Sequence, residues 1–162
     1  YLALPSVEVV AEIRAIFERL VEPPTVFDHF GNRRVVSVGE GTPLTELFGL
    51  IETHRFTQFP VYGEDGFEGL VTSNGIANWI AQQARELSLI DFESHTVADL
   101  LSREEERPNW NFVPRVMPLD ELLYLFVENP QLEAVLITQN GKAGESPLGI
   151  VTPSDVAAIR RG

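Results

Sequence analysis

The chain has 162 residues, 44% of them apolar, enough for one compact domain or two small ones with a real core. Its formal net charge of −12 argues against a nucleic-acid partner and against an anionic membrane surface, both of which are met with Lys and Arg; an anionic ligand would need a locally positive pocket. With no cysteine, disulfides, zinc ribbons and thiol catalysis are excluded, and no apolar run reaches the ~18 residues of a membrane span.

Ser6 to Leu20 predicts a helix with Val10, Ile13, Phe17 and Leu20 along one side, a stripe expected to cover the rest of the molecule or a partner. Tyr1 is not an initiator methionine and no signal peptide is discernible, so the expectation is part of a longer, cytoplasmic protein. Val35 to Val38 predicts a short strand, and Thr42-Pro43 an N-cap with proline at the first helical position. Leu44, Leu47, Phe48 and Ile51 follow at helical spacing. Phe59 to Tyr62 and Gly69 to Thr72 predict strands joined by a turn between Gly63 and Gly66, and Ile76, Trp79, Ile80 and Ala84 mark a second helix. The order is β-α-β-β-α.

That order then repeats. Thr25-Val26-Phe27-Asp28 returns as Thr96-Val97-Ala98-Asp99, and Pro43-Leu44-Thr45-Glu46-Leu47 as Pro118-Leu119-Asp120-Glu121-Leu122. The turn Asp65-Gly66 returns as Asn140-Gly141, and Gly69-Leu70-Val71-Thr72 as Gly149-Ile150-Val151-Thr152. Four matches in one order indicate a duplication. In the second copy Phe112-Val113 predicts a strand, Pro118 to Glu128 a helix, Ala134 to Thr138 and Leu148 to Thr152 a strand pair, and Ser154 to Arg161 the last helix. The chain thus divides into a leading helix (1–24), a first repeat (25–86) and a second (87–162). One unit is too small to bury much core alone, so the two should pack together.

The stretch TPLTELFGLIETHRFTQFPVYGEDGFEGLVT resembles a CBS domain, and the pair resembles a Bateman module. The resemblance implies an α/β (α+β) fold of two β-α-β-β-α repeats packed with pseudo-twofold symmetry. It also implies a regulatory rather than enzymatic role, a homodimer, and an adenine nucleotide or related adenosyl ligand between the repeats, with no cofactor required.

Thr152-Pro153-Ser154-Asp155 follows a strand and opens a helix. Local structure alone explains it: Thr152 as N-cap, Pro153 at the first helical position, Asp155 facing the helix dipole. In the family the same pattern binds a ribose, since a carboxylate can accept from both hydroxyls of a cis-diol. Asp155 is then expected at the ribose, and Thr152 and Ser154 at ribose or phosphate. The first copy has Thr72-Ser73-Asn74-Gly75, with glycine in place of the acid, and reads as a plain helix cap. The base pocket facing Asp155 is expected from the first copy: Val36, Phe56, Thr57, Gln58 and Pro60. Val36 and Phe56 serve equally as core, whereas Thr57 and Gln58 suit a cleft.

Arg33, Arg34 and Arg55 read as surface charges, with phosphate neutralisation as the alternative. Arg160-Arg161 complements a helix dipole, and Glu104-Glu105-Glu106 reads as a solvated loop. His29, His54 and His95 lack ligand spacing, so no metal is expected, and no nucleophile stands beside a base. Two rival readings are a ligand-free dimerisation module and a binder of cyclic di-AMP. The second phosphate of the latter would need basic residues that Pro153-Ser154-Asp155 does not supply.

Overall fold

The computed structural model describes residues 6–86, 89–102 and 109–159. Helix α1 (Val7–Val21) is capped by Ser6, whose hydroxyl accepts from the Val9 N–H at 3.3 Å. It buries no residue: Phe17 is 64% exposed and Leu20 77%. The apolar stripe therefore joins neither of the two cores among the described residues.

The two Thr-x-x-Asp segments start single-turn helices that periodicity does not reveal, α2 (Val26–Phe30) and α5 (Val97–Leu101). Each is nucleated by its own polar pair. The Thr25 hydroxyl accepts from the Asp28 N–H at 3.2 Å, and the Asp28 carboxylate accepts from the Thr25 N–H at 3.0 Å. Asp99 likewise accepts from the Thr96 N–H at 2.9 Å. Such reciprocal caps offset the cost of starting a helix too short to sustain itself.

Between these helices run α3 (Leu44–His54), β1 (Gln58–Gly63), β2 (Gly66–Thr72) and α4 (Ser73–Glu86). After α5 come β3 (Trp110–Pro114), α6 (Leu119–Glu128), β4 (Ala134–Thr138), β5 (Gly149–Val151) and α7 (Pro153–Ile159). Strands β1 and β2 form an antiparallel pair, and β3-β4-β5 a mixed sheet with β3 parallel to β4. The tight turns rest on Gly66 and Gly141, both at positive φ; a Cβ on Gly141 would also lie 2.9 Å from the Pro114 nitrogen.

Two expectations need correction. Val35 to Val38 is not a strand: only Val38 pairs, in one parallel bridge to Val61, where the second copy has the full strand β3. Thr42 does not cap α3. Its hydroxyl accepts from the Gly39 N–H at 3.1 Å, and its carbonyl accepts from the Val97 N–H at 2.9 Å. The first N–H of α3, from Leu44, goes instead to the His95 carbonyl at 3.0 Å. The other copy mirrors this, with Val26 N–H to the Met117 carbonyl at 2.8 Å and Leu119 N–H to the Pro24 carbonyl at 2.9 Å. A backbone exchange with a distant segment replaces the side-chain cap at both helix starts. Arg160-Arg161 and Glu104 to Glu106 lie outside the described residues.

That exchange interleaves two hydrophobic cores. One holds Leu44, Leu47, Phe59, Val61, Val71 and Trp79 of the first repeat together with Val97 and Leu100 of α5. The other holds Val113, Leu122, Val135, Ile137, Val151 and Val156 together with Val26 and Phe30 of α2. Each repeat in sequence thus lends its short helix to the opposite core, and the loop 31–37, running from α2 to Val38, crosses between the halves.

Candidate functional site

The crossing loop forms one wall of an open cleft of about 390 Å³. From the loop come Arg33, Arg34 and Val36, and from the end of α3 through β1 come Arg55, Phe56, Thr57, Gln58 and Pro60. The opposite wall is Ile150, Thr152, Ser154 and Asp155. All eight residues expected at the site, from both repeats, therefore line a single cavity of a size suited to a small ligand. Three arginines and Ile150 join them; they were not among the expected ligand contacts.

Each lining residue has a local reason for its place. Arg55 ends α3 in the left-handed region, φ 58°, where glycine is usual. Phe56 stacks on His54 with centroids 5.5 Å apart and planes at 16°, and stays 40% exposed on the cleft wall. Val36 is half-buried against the first core, so it serves packing and cleft together. The Thr57 hydroxyl donates to Gln58 Oε1 at 2.8 Å, while the Thr57 carbonyl accepts from the Ser73 N–H at 3.0 Å and ties β1 to the start of α4.

At the far wall Asp155 is held by three donors. Thr152 N–H and O–H reach Oδ2 at 2.8 and 2.9 Å, and the Arg33 guanidinium donates to Oδ1. Burial raises the Asp155 carboxyl, but the Arg33 and Thr152 hydrogen bonds and the Arg33 charge outweigh it and leave the pKa below the ordinary value. The two copies use the same threonine in opposite ways. In the first, the Thr72 hydroxyl accepts from the Gly75 N–H at 3.0 Å and caps α4. In the second, the Thr152 hydroxyl donates to a carboxylate and so orients it.

The equivalent helix start and strand of the other copy carry different groups. Gly75 brings no acceptor, and the Asn74 amide donates across the repeats to Glu133 Oε1 at 3.2 Å. Glu133 stands where the first copy has Thr57, and Asn129 to Gln131 carries no basic residue where the first copy has Arg55. Phe112 packs against Phe67 and Trp110, with centroids 5.0 and 5.6 Å away. Among the described residues no three His, Asp or Glu side chains converge on a point that could hold a metal ion, and no helix is long and apolar enough to cross a membrane.

Residues 28–82 match the family model of the CBS domain. No curated protein matches the sequence. Among solved structures, the chain resembles the CBS domain pair of protein MJ0100 in complex with 5′-methylthioadenosine and S-adenosyl-L-methionine. That match has a TM-score of 0.64 and 17% identity, over 86% of this chain and 98% of that one. It also resembles the CBS domain of the bacterial CNNM/CorC family Mg²⁺ transporter in complex with ATP (TM-score 0.58, 23% identity, 93% and 94% covered). A third resemblance is to the CBS domain of a CBS-domain-containing membrane protein from Sphaerobacter thermophilus (TM-score 0.62, 19% identity, 94% and 97% covered). Residues 28–82 thus match a CBS domain, and the chain as a whole has the fold of CBS-domain pairs.

Proposed function

We propose that this CBS pair is a regulatory, non-enzymatic module that senses an adenine nucleotide in the cleft lined by Val36, Phe56, Thr57, Gln58, Pro60, Thr152, Ser154 and Asp155. The observation that carries the reading is the meeting, in one cavity, of an apolar wall, an oriented carboxylate and three arginines. Phe56 and Val36 give a purine face its apolar contact, Asp155 accepts from the ribose, and the arginines neutralise phosphate. The adenosyl ligands and ATP in the two similar structures support the same class of ligand. Because the cavity draws on both repeats, the binding energy can bias their relative angle and hence a homodimer or a regulated partner. The protein acts in the cytoplasm, where such nucleotides are abundant, and requires no cofactor.

The test is a thermal-shift titration of the full chain with AMP, ADP, ATP and S-adenosyl-L-methionine. A ligand at a hundred times its Kd adds about 2.7 kcal/mol, or about 5–10 °C for a chain of this size. Asp155→Ala should abolish the shift. No stabilisation by any adenine ligand would overturn the proposal in favour of a ligand-free interaction module. Stabilisation by cyclic di-AMP that AMP cannot displace would reassign the cleft to the cyclic dinucleotide.

A further inference from the structure

The carboxylate that a ribose needs is already taken. Asp155 Oδ1 is ion-paired with Arg33, while Oδ2 holds both donors of Thr152. Arg33 itself is pinned at its base. Its N–H donates to the Phe30 carbonyl at 3.2 Å, and its guanidinium carbon lies 5.0 Å from the Phe30 ring centre. The far end is freer, since the Arg33 side chain is 49% exposed against 20% for Asp155. Arg34 and Arg55 line the same cleft.

Resting on the reading of the cleft as a nucleotide site, we infer that the Arg33–Asp155 pair is a two-position latch that makes the cleft selective for phosphorylated nucleosides. A phosphate offers the guanidinium another oxyanion, with the paired acceptors its planar fork prefers. Arg33 then swings from carboxylate to phosphate, and Oδ1 is freed for the ribose. Asp155 does not lose its aim when this happens, because the Thr152 bonds to Oδ2 persist. A nucleoside without phosphate must break the same ion pair and leaves the guanidinium with water alone. The charge count agrees: three arginines and one carboxylate give the cleft lining a net charge of +2, against a phosphomonoester of about −1.5 to −2.

Isothermal titration of the full chain with AMP and with adenosine tests this. The wild type should bind AMP at least about tenfold tighter than adenosine. Arg33→Gln should weaken AMP and, by releasing Asp155, tighten adenosine by about threefold, the scale of a half-exposed ion pair. Arg34→Gln is the control: it should weaken AMP without tightening adenosine. If Arg33→Gln weakens both ligands equally, or leaves adenosine unchanged, there is no latch, although the nucleotide cleft stands. If neither ligand binds the wild type or Arg33→Gln, the cleft reading itself falls, and the latch with it.

Discussion

Phe30 belongs to the first repeat in sequence, yet its side chain is fully buried in the second core beside Val113, Leu122 and Val135. Truncating it to alanine removes a whole aromatic ring from a site whose neighbours, including Gly149 packed against the Phe30 carbonyl, have little room to collapse. The expected cost is about 3–5 kcal/mol, a large part of a total stability of about 5–15 kcal/mol. Because the loss falls in the second core, amide exchange should accelerate most in β4 and β5. A loss of that size corresponds to at least about a hundredfold in protection where these strands open as one unit. Phe30→Leu is a milder companion that keeps most of the volume and should lose about 1–1.5 kcal/mol in the same place. Val97→Ala is the reciprocal, costing about 2 kcal/mol and acting on β1 and β2. The assay is native-state hydrogen exchange followed by mass spectrometry. Accelerated exchange confined to β1 and β2 in the Phe30 variants, with β4 and β5 at wild-type protection, would refute the interleaved packing.

Three further outcomes follow from the same structure. Arg55→Gly relieves a left-handed residue costing about 1–2 kcal/mol, less the extra chain entropy of glycine, so melting should show a gain of about 0.5–1 kcal/mol while nucleotide affinity falls; a loss of stability would contradict this. Glu145 is held at about 2, mainly by the Asn140 N–H at 2.7 Å and also by the Asn140 amide at 2.6 Å. Its folded pKa lies below its ordinary 4.5, so its contribution is present above that value and lost as the pH falls toward 2. Asp155, also lowered, acts in the same direction, and urea unfolding at pH 6 and pH 3 should show a smaller difference in Glu145→Gln and Asp155→Asn than in the wild type. Phe17→Ala and Leu20→Ala lie on the uncovered face of α1 and should shift stability by less than about 0.5 kcal/mol; a loss of about 2 kcal/mol or more would mean that this face is packed.

Much of the molecule is legible in the chain because its signals are local. The proline and apolar spacing of Pro43 to Leu47 and Pro118 to Leu122 marked α3 and α6, and Asp65-Gly66 and Asn140-Gly141 marked two tight turns. The predicted lining of the cleft came from motif order and resemblance, and those eight residues do meet in one cavity. Where reading failed, a distant partner decided. Thr42 has the chemistry of a cap, but the backbone of His95 and Val97 occupies the start of α3, and no local pattern announces that. The Thr-x-x-Asp pairs are visible as a repeat, and the capping boxes they form start α2 and α5.

The sequence by itself determined the duplication and its shared α-β-β-α order, the lone acid at Asp155 against Gly75, and the absence of cysteine chemistry, because each depends on residue type and spacing along one segment. Only the tertiary structure decided that α2 and α5 change cores, that Arg33, Arg34 and Arg55 converge on one cleft, and that Arg33 already holds Asp155. Those features are contacts between residues up to 122 positions apart, fixed by how two small cores share their surfaces rather than by any neighbour in the chain.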